Sequence, residues 1–319
     1  MCQVAFSVAD LETTSAWYRD VFGLVPAGGA RFSGPAIERL QGLPGATSRA
    51  RWLVDLQDFF QLELFCFEEP APRRFAQTRS PADIGYSALG IHASDFDQAL
   101  ARLGEAATPV LDGGRAGRRR AVARDPDGVL VELMEDRPRS GGPATRRRPE
   151  VQAEVVYVRA SVPDLERSVR FFAGVTGLSP LAEPIIHAEA DEALWGLAGA
   201  RRLAAELHSD GPVLELVQYL RPAGRDRPAD YRISDLGLLN VAFGSRDLAR
   251  YQTAKGRLIE LGHRTNEEMR LDFAATVYGE DDQGFSVELL YLKTGSEGLA
   301  GFEPRPWKVR SYGSQPGGR

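Results

Sequence analysis

Short apolar segments that end at an aspartate recur four times along the chain. Each aspartate is followed by an amphipathic stretch of helical period, so its carboxylate can cap the first free amide groups of a helix. The four positions are Asp10, Asp95, Asp164 and Asp247. After each helix come alternating segments separated by turn sequences such as DPDG, SDGP and DDQG, which predict hairpins. The pattern predicts an α+β protein with the order βαβββ in four modules.

An internal repeat relates the two halves of the chain. The segment SVADLETTSAWYRDVFGLVP at 7–26 returns as SVPDLERSVRFFAGVTGLSP at 161–180. QLELFCFEEP at 61–70 returns as VLELVQYLRP at 213–222. Self-similarity at a long period indicates duplicated structural units. We therefore predict paired-module domains at 1–136 and 151–293, a Pro-, Gly- and Arg-rich linker at 137–150, and a mostly loop-like tail at 294–319 that Phe302 and Trp307 anchor.

Composition and charge exclude several classes of function. The 319 residues are 43% hydrophobic and 26% charged, as in ordinary folded proteins. Lys and Arg number 39 against 44 Asp and Glu, a net charge of −5 that argues against nucleic acid as a partner. No apolar stretch approaches the ~18 residues of a membrane span, and no signal-peptide pattern is present. We expect a cytoplasmic protein without membrane contact, in which Cys2 and Cys66 are reduced and unreactive.

The strand and capping motifs resemble one superfamily. SVADLETTSAWYRDVFGL and DPDGVLVELMED, with a VEL or LEL strand closing each module, are similar to the vicinal oxygen chelate superfamily over residues 1 to about 293. That superfamily includes glyoxalase I, bleomycin- and fosfomycin-resistance proteins, methylmalonyl-CoA epimerase and extradiol dioxygenases. The resemblance implies that two modules curl their mixed sheets into a cup that binds the substrate. Four modules would make two cups, one from modules 1 and 2 and one from modules 3 and 4.

The resemblance also implies where metal ligands would lie. Seven residues before each capping aspartate, where the usual ligand is His, the chain has Gln3, Ala88, Tyr157 and Asn240. The Glu of the closing strand is present in every module, as Glu63, Glu132, Glu215 and Glu288. An Fe(II) dioxygenase needs two His and one carboxylate, so ring cleavage is disfavoured. An oxygen-ligand set in the N-terminal cup would comprise Gln3, Glu63 and Glu132.

Three interpretations of the four glutamates stay open. They are an inherited scaffold feature, they hold a divalent metal, or they transfer protons without a metal. An all-oxygen ligand set suits Mg²⁺ or Mn²⁺ better than Zn²⁺. Without a cation, two carboxylates that converge in an apolar cup cannot comfortably both ionise, so one would have a raised pKa and could carry a proton. The cofactor is therefore either none or a divalent metal (Mg, Mn or Zn).

The C-terminal cup offers further candidates for chemistry. Glu215 and Glu288 are the expected acid–base residues, and His208 in the preceding hairpin is the best histidine for a general base. His187 lies in a variable stretch that could overhang a cup, whereas His92 and His263 are interpreted as structural.

Three polar residues of this cup are candidates for substrate binding. Tyr157 could donate a hydrogen bond to an oxyanion, and Asn240 could fix a carbonyl. Arg159 follows Tyr157 by two residues and shares its strand face. The alternative is that Tyr157 only fills the volume of a lost metal site.

These observations favour an enzyme that transfers protons next to a carbonyl or an adjacent oxygen pair. It would be an isomerase, epimerase or lyase that acts on a partly apolar small molecule. Two alternatives stay open, namely a metal-free ligand-binding protein of the antibiotic-sequestering kind and a divalent-metal, glyoxalase-like enzyme. The expected partners are a small molecule and, in some arrangements, a second copy of the chain.

Overall fold

The computed structural model describes residues 1–113, 119–137, 148, 151–181 and 183–312. It confirms the predicted α+β class. The helices are α1 (Leu11–Phe22), α2 (Pro35–Gln41), α3 (Phe96–Leu103), α4 (Leu165–Thr176) and α5 (Leu248–Glu260). The strands are β1 (Gln3–Ser7), β2 (Val25–Phe32), β3 (Thr47–Val54), β4 (Gln61–Glu69), β5 (Gly85–Ala93), β6 (Arg120–Arg124), β7 (Leu130–Met134), β8 (Ala153–Ser161), β9 (Arg201–Leu207), β10 (Val213–Arg221), β11 (Gly237–Ser245), β12 (Arg264–Thr265), β13 (Met269–Arg270), β14 (Ala274–Glu280), β15 (Ser286–Leu292) and β16 (Arg305–Tyr312).

The four predicted helix caps are confirmed. Each capping carboxylate accepts a hydrogen bond from a backbone amide in the first turn of α1, α3, α4 or α5, which satisfies a donor that the helix leaves free. The capping residues are Asp10, Asp95, Asp164 and Asp247. Each module therefore starts as its sequence pattern predicts.

The strands form two sheets, and their pairing corrects the expected cups. One ten-stranded sheet has the order β12-β14-β15-β11-β1-β4-β3-β2-β16, with β13 on β14. The other sheet has the order β6-β7-β5-β8-β10-β9. Module 1 therefore pairs with module 4, through β1 and β11, and module 2 pairs with module 3, through β5 and β8. The expectation that neighbouring modules share a cup is wrong.

Two connecting segments explain this exchange of partners. The segment after β4 and the segment after β10 each lie against the other half of the chain. Arg73 pairs with Asp235 at 2.8 Å, and Arg225 pairs with Asp83 at 2.6 Å. Both aspartates are almost completely buried, so the ion pairs are directional and shielded from water on one side. The strand that follows each connection therefore pairs with a strand from the other half of the chain, β5 with β8 and β11 with β1.

The main hydrophobic core lies on one face of each sheet. Side chains alternate between faces along a strand. On β1, Val4 and Phe6 enter the core that also contains Leu216 of the smaller sheet. Gln3 and Ala5 therefore point to the opposite face of the larger sheet. That face is concave and carries the polar cluster described below.

The C-terminal tail differs in part from the prediction. Residues 305–312 form β16, which pairs in parallel with β2 and extends the larger sheet, so this part is not a loop. Phe302 is fully buried and Trp307 packs against the main core, which confirms both as anchors. Of the predicted linker, residues 138–147, 149 and 150 lie outside the described residues. The domain limits at 1–136 and 151–293 stay a prediction, although both sheets join strands from the two sides of the linker.

No helix within the described residues is long and apolar enough to cross a membrane.

Candidate functional site

Four neighbouring strands of the larger sheet bring together four of the predicted site residues. β1 contributes Gln3, β4 Glu63, β11 Asn240 and β15 Glu288. Ala5 of β1 pairs with both Glu63 and Asn240, which sets the four side chains side by side at the centre of the sheet. The register shifts between Ala5 and Phe6, opposite an additional residue on β11. Such a bulge changes the direction of nearby side chains, and here it affects the side chains next to Asn240.

We call the concave face of the larger sheet the open cup. Its two carboxylates, those of Glu63 and Glu288, both contact the side-chain amide of Gln3. Gln3 Nε2 donates to Glu63 Oε2 at 2.6 Å and lies 3.3 Å from Glu288 Oε2. The Trp52 indole N–H donates to the other oxygen of Glu63 at 2.8 Å, and the Thr276 hydroxyl donates to the other oxygen of Glu288 at 2.6 Å. Both carboxylates are buried, at 6% and 5% exposure. They are held by neutral donors.

The surroundings favour a shared proton. Burial and the nearby Glu288 carboxylate raise the pKa of Glu63 to about 8. Burial also raises the pKa of Glu288 above its usual range. The Tyr278 hydroxyl contacts Glu288 and Asn240, and burial raises the pKa of this phenol well above its usual range. At neutral pH the pair therefore holds a proton between two carboxylates, as expected for convergent carboxyl groups in an apolar setting.

The glutamate pair lines an inner chamber of about 90 Å³. Its walls are mainly apolar and include side chains from β2, α2, the β13 region and the C-terminal tail: Phe32, Ile37, Leu40, Met269, Phe273 and Phe302. An adjoining outer chamber of about 420 Å³ shares Gln41, Phe65 and Tyr278 with it and also reaches Asn240. Three arginines and one glutamate line this outer chamber: Arg227, Arg232, Arg264 and Glu280. The site thus combines a small polar centre and apolar walls with an adjoining chamber that is lined by arginines.

The residues of the open cup fit a divalent cation. Two carboxylates balance its charge, and the buried Asn240 Oδ1 has no hydrogen-bond donor among the described residues. Gln61 Nε2 donates to Gln3 Oε1 at 2.8 Å, while the Gln61 oxygen is itself buried without a donor. A 180° rotation of both side-chain amides would exchange their oxygen and nitrogen positions. The Gln3 oxygen would then face the carboxylates, and the Gln61 oxygen would accept a hydrogen bond from the Gln3 amide nitrogen. Among the described residues no three His, Cys, Asp or Glu side chains form a metal-binding group, so amide oxygens are needed to complete this one.

The smaller sheet carries a second cup, which the chain fills with its own side chains. His187 lies between the two closing-strand glutamates, with Nε2 2.8 Å from Glu132 and Nδ1 3.0 Å from Glu215. All three side chains are fully buried. The Tyr157 hydroxyl donates to Glu132. The Tyr157 ring occupies space next to Gly90, where a Cβ would lie 2.0 Å from it. The imidazole therefore takes the position between the carboxylates that a bound cation would take.

Buried arginines balance the charge of this filled cup. Arg159, which corresponds by the repeat to Ala5, bonds Glu215 at 2.8 Å and Glu192 at 3.3 Å. Arg120 pairs with Glu132 at 3.2 Å. Burial alone would raise the pKa of Glu215, but Arg159 and His187 hold it well below its usual range.

The pKa values of the other two groups of this triad, Glu132 and His187, also shift towards the charged forms. Burial opposes ionisation of both groups, yet His187 and Arg120 hold the pKa of Glu132 low, and Glu215 and Glu132 hold the pKa of His187 high. This network is a set of fully buried ion pairs.

The structure regroups the predicted site residues. Gln3, Glu63, Asn240 and Glu288 lie together in the open cup, whereas Glu132 belongs to the filled cup, so the expected metal set of Gln3, Glu63 and Glu132 is wrong as a cluster. Glu215 and Glu288 likewise lie in different sheets. Tyr157 and Arg159 are enclosed with Glu132 and Glu215, which supports the space-filling interpretation of Tyr157. His208 lies at the edge of the smaller sheet, 2.9 Å from Glu206, and lines neither chamber of the open cup.

Four residues of the two cups were not singled out from the sequence for the roles their contacts give them. Trp52, Thr276 and Tyr278 contact the glutamate pair, and His187 fills the second cup. One signal was available for two of them, because Thr276 and Tyr278 alternate on a strand and so share a face. The position of His187 depends on tertiary packing and had no comparable signal.

The N-terminal part of the chain matches a known protein family. Residues 2–133 match the model of the glyoxalase/bleomycin resistance protein/dioxygenase superfamily. These residues belong to that superfamily. The resemblance seen in the sequence is thereby confirmed, and superfamily members include glyoxalase I and other enzymes. No curated protein matches the chain.

Solved structures share the fold over nearly the whole chain. Glyoxalase I from Zea mays is 19% identical with a TM-score of 0.57, covering 91% of this chain and 92% of its own. A dioxygenase candidate from Bacillus subtilis is 12% identical with a TM-score of 0.63, covering 97% and 91%. At these identities the likeness concerns the fold alone. The similarity of fold therefore extends beyond the matched N-terminal residues.

Proposed function

We propose that the open cup catalyses proton transfer next to a carbonyl or an adjacent oxygen pair of a small, partly apolar molecule, as an isomerase, epimerase or lyase. One observation carries this proposal: Glu63 and Glu288 converge on Gln3 at the wall of a mainly apolar chamber. Buried carboxyl groups with raised pKa values are suited to general acid–base work near neutral pH.

The chain's own residues supply each role. The ionised carboxylate of the pair removes a proton from the carbon beside the carbonyl, so a C–H bond breaks and a carboxyl O–H bond forms. The protonated partner delivers its proton to the oxygen or to the neighbouring carbon, which restores one proton on the pair. Trp52 and Thr276 hold the outer carboxylate oxygens and so orient the inner ones. The apolar walls exclude water, which strengthens these interactions.

A divalent cation is compatible with this site. Glu63, Glu288, Asn240 and a turned Gln3 would hold it, and when bound it would polarise the substrate carbonyl. With or without a bound cation, the carboxylates, the amides and Tyr278 orient the substrate. The arginines of the outer chamber favour a substrate with an anionic substituent.

The experiment follows deuterium incorporation from D₂O into a panel of 2-hydroxy carbonyl compounds by NMR. Wild-type protein is expected to exchange at least one compound, and E63Q or E288Q should lower the rate by about 100-fold or more. Glu12→Gln, an exposed change on α1, serves as the control and should leave the rate unchanged. Unchanged exchange in both cup variants would contradict the assignment.

The second candidate function is metal-free binding of a small molecule, and the mainly apolar walls of the inner chamber favour it. Recovery of a tightly bound ligand unchanged after long incubation, with no exchange in any panel compound, would support this function over catalysis.

A further inference from the structure

A second cavity lies apart from the open cup. It forms where the segment 74–80 meets the turn between β6 and β7 and the start of β11, and its volume is about 350 Å³. We call it the arginine pocket because Arg74, Arg79 and Arg124 line it. Among the described residues it shares no lining residue with either chamber of the open cup.

Two of these guanidinium groups are half-buried, and among the described residues they donate hydrogen bonds only to neutral oxygens. Arg79 donates to the backbone carbonyl of Ile84 at 2.6 Å and lies over the Phe75 ring. Arg124 donates to the carbonyls of Gly128 at 2.7 Å and Arg79 at 2.9 Å. Within the part of the chain that the structure describes, neither makes a salt bridge. The carbonyls orient the two guanidinium groups without neutralising them.

Acidic groups near the pocket are already engaged. Asp127, the one carboxylate among the described lining residues, accepts from the Ala9 amide at 2.9 Å and the Thr14 hydroxyl at 2.6 Å. Its nearest guanidinium, that of the exposed Arg74, is 3.9 Å away. Asp125 lies close to Arg124, but its oxygens accept from Tyr18 and from backbone amides. Three cations therefore face the pocket against one carboxylate.

The positive charge is held at an energetic cost. Burial and the neighbouring Arg227 lower the pKa of Arg79, and burial lowers the pKa of Arg124. An anion placed between them would relieve both effects, because charge-assisted hydrogen bonds are the strongest that a guanidinium makes.

From this arrangement we infer that the arginine pocket binds a small organic phosphate. A guanidinium presents a planar fork that matches phosphate oxygens, and several of them favour a dianion over a monoanion. Tyr86, Leu236 and Leu238 supply an apolar wall for the organic part of the ligand. The volume lies in the range of small-molecule sites.

The repeat shows that the charge of Arg124 is particular to one half of the chain. Arg124 in ARDPDG corresponds to Glu280 in GEDDQG, so the related position beside the outer chamber carries the opposite charge. Phe75 and Arg79 correspond to Arg227 and Tyr231, in which the ring and the cation have exchanged places. Both related cavities are lined by arginines, but the arginines of the two cavities lie at different positions of the repeat.

The test is calorimetric titration of the full chain with phenyl phosphate and with inorganic phosphate at low salt. Wild-type protein should bind phenyl phosphate, and R124Q and R74Q should each weaken binding about 10-fold or more. Since Arg124 helps to hold a turn, R124K serves as a second variant that keeps the charge and should lose less affinity. Thermal unfolding of each variant confirms that it is folded.

Two matched controls locate the ligand. R19Q removes an exposed arginine from α1, and R232Q removes one from the outer chamber; both should bind like wild type. If R232Q lost binding and R124Q kept it, the ligand would lie at the open cup and the inference would be overturned. The inference would also be overturned if the wild-type protein did not bind phenyl phosphate. Tighter binding of phenyl phosphate identifies an organic phosphate, and equal affinities identify free phosphate as the ligand of the same pocket.

Discussion

The two cups place the same pair of closing-strand glutamates in opposite electrostatic surroundings. In the open cup, the donors that Glu63 and Glu288 meet among the described residues are all neutral, and burial raises the pKa of both. In the filled cup, Glu132 and Glu215 enclose His187, and cationic neighbours hold both carboxylates ionised. One pair is left ready to exchange a proton and the other is fixed by ion pairs. The charges around a carboxylate, rather than its position in the fold, decide which function it can have.

The origin of the difference lies between the first helix and the hairpin of each unit. Module 1 continues after α1 with β2, which extends the sheet and leaves the concave face free. In module 3 only a bridge at Pro180 occupies the corresponding place. The chain then turns inward through His187 and a short 3₁₀ helix, Glu189–Trp195, whose Glu192 and Trp195 pack against Arg159. The filled cup is therefore closed by its own module.

Removing the cation at the centre of the filled cup should have the largest effect. His187→Ala leaves Glu132 and Glu215 buried with one partner fewer, and losing one member of a buried ion pair costs about 3–5 kcal/mol. Urea unfolding at pH 6 should show a loss of this order, whereas His263→Ala, at a half-buried position, should lose much less. A loss below about 1 kcal/mol would contradict a structural role for the buried network.

The open cup should make stability depend on pH. Because the pKa of Glu63 is raised to about 8 in the folded state, the folded protein holds a proton that the unfolded chain releases near pH 4.5. Its contribution therefore falls as pH rises from about 4.5 to 8, by an amount on the order of 4 kcal/mol. Urea unfolding at pH 5, 6.5 and 8 with a chelator present should show this decline in wild type and a flatter profile in E63Q. Equal profiles would contradict the raised pKa.

Added Mn²⁺ should distinguish the cups by a smaller effect. A cation that binds only the folded state stabilises it by about 2.7 kcal/mol at 100-fold excess over its dissociation constant. We expect a higher Tm for wild type and for E215Q, which alters the filled cup, but no shift for E63Q. A shift in E63Q as large as that in wild type would show that the metal binds elsewhere.

His208 should have the smallest effect. It contacts Glu206 at the edge of the smaller sheet and lines neither chamber of the open cup. His208→Gln should therefore change the exchange rate by less than about 3-fold, since no proton path includes it. A 100-fold loss would instead support the general-base role expected from the sequence.

Much of the fold could be predicted because local signals determine it. The capping aspartates, the alternation around each VEL or LEL strand and the repeat are short-range patterns, and the structure confirms the capped helices and the closing strands that they predict. The predicted order βαβββ is not complete in every module, because modules 2 and 3 have an isolated bridge, at Leu111 or Pro180, in place of the second strand. The partner of each module could not be predicted in this way. It depends on the Arg73–Asp235 and Arg225–Asp83 pairs, which join residues more than a hundred positions apart.

The same limit applies to the site. Gln3, Glu63, Asn240 and Glu288 could each be found by counting along a strand, but their grouping required the sheet order. The closure of the second cup by His187 depends on where an irregular segment packs, and irregular segments carry no periodic signal.

The most direct test compares E288Q with its counterpart in the repeat, E132Q. We measure deuterium exchange per folded molecule and the free energy of unfolding for both. The account predicts that E288Q loses about 100-fold or more in exchange with little loss of stability, because the amide replaces a carboxyl that tends to be protonated. It predicts that E132Q loses about 2 kcal/mol or more in stability while exchange stays within about 3-fold. Loss of exchange in E132Q together with normal exchange in E288Q would contradict the assignment of chemistry to the open cup.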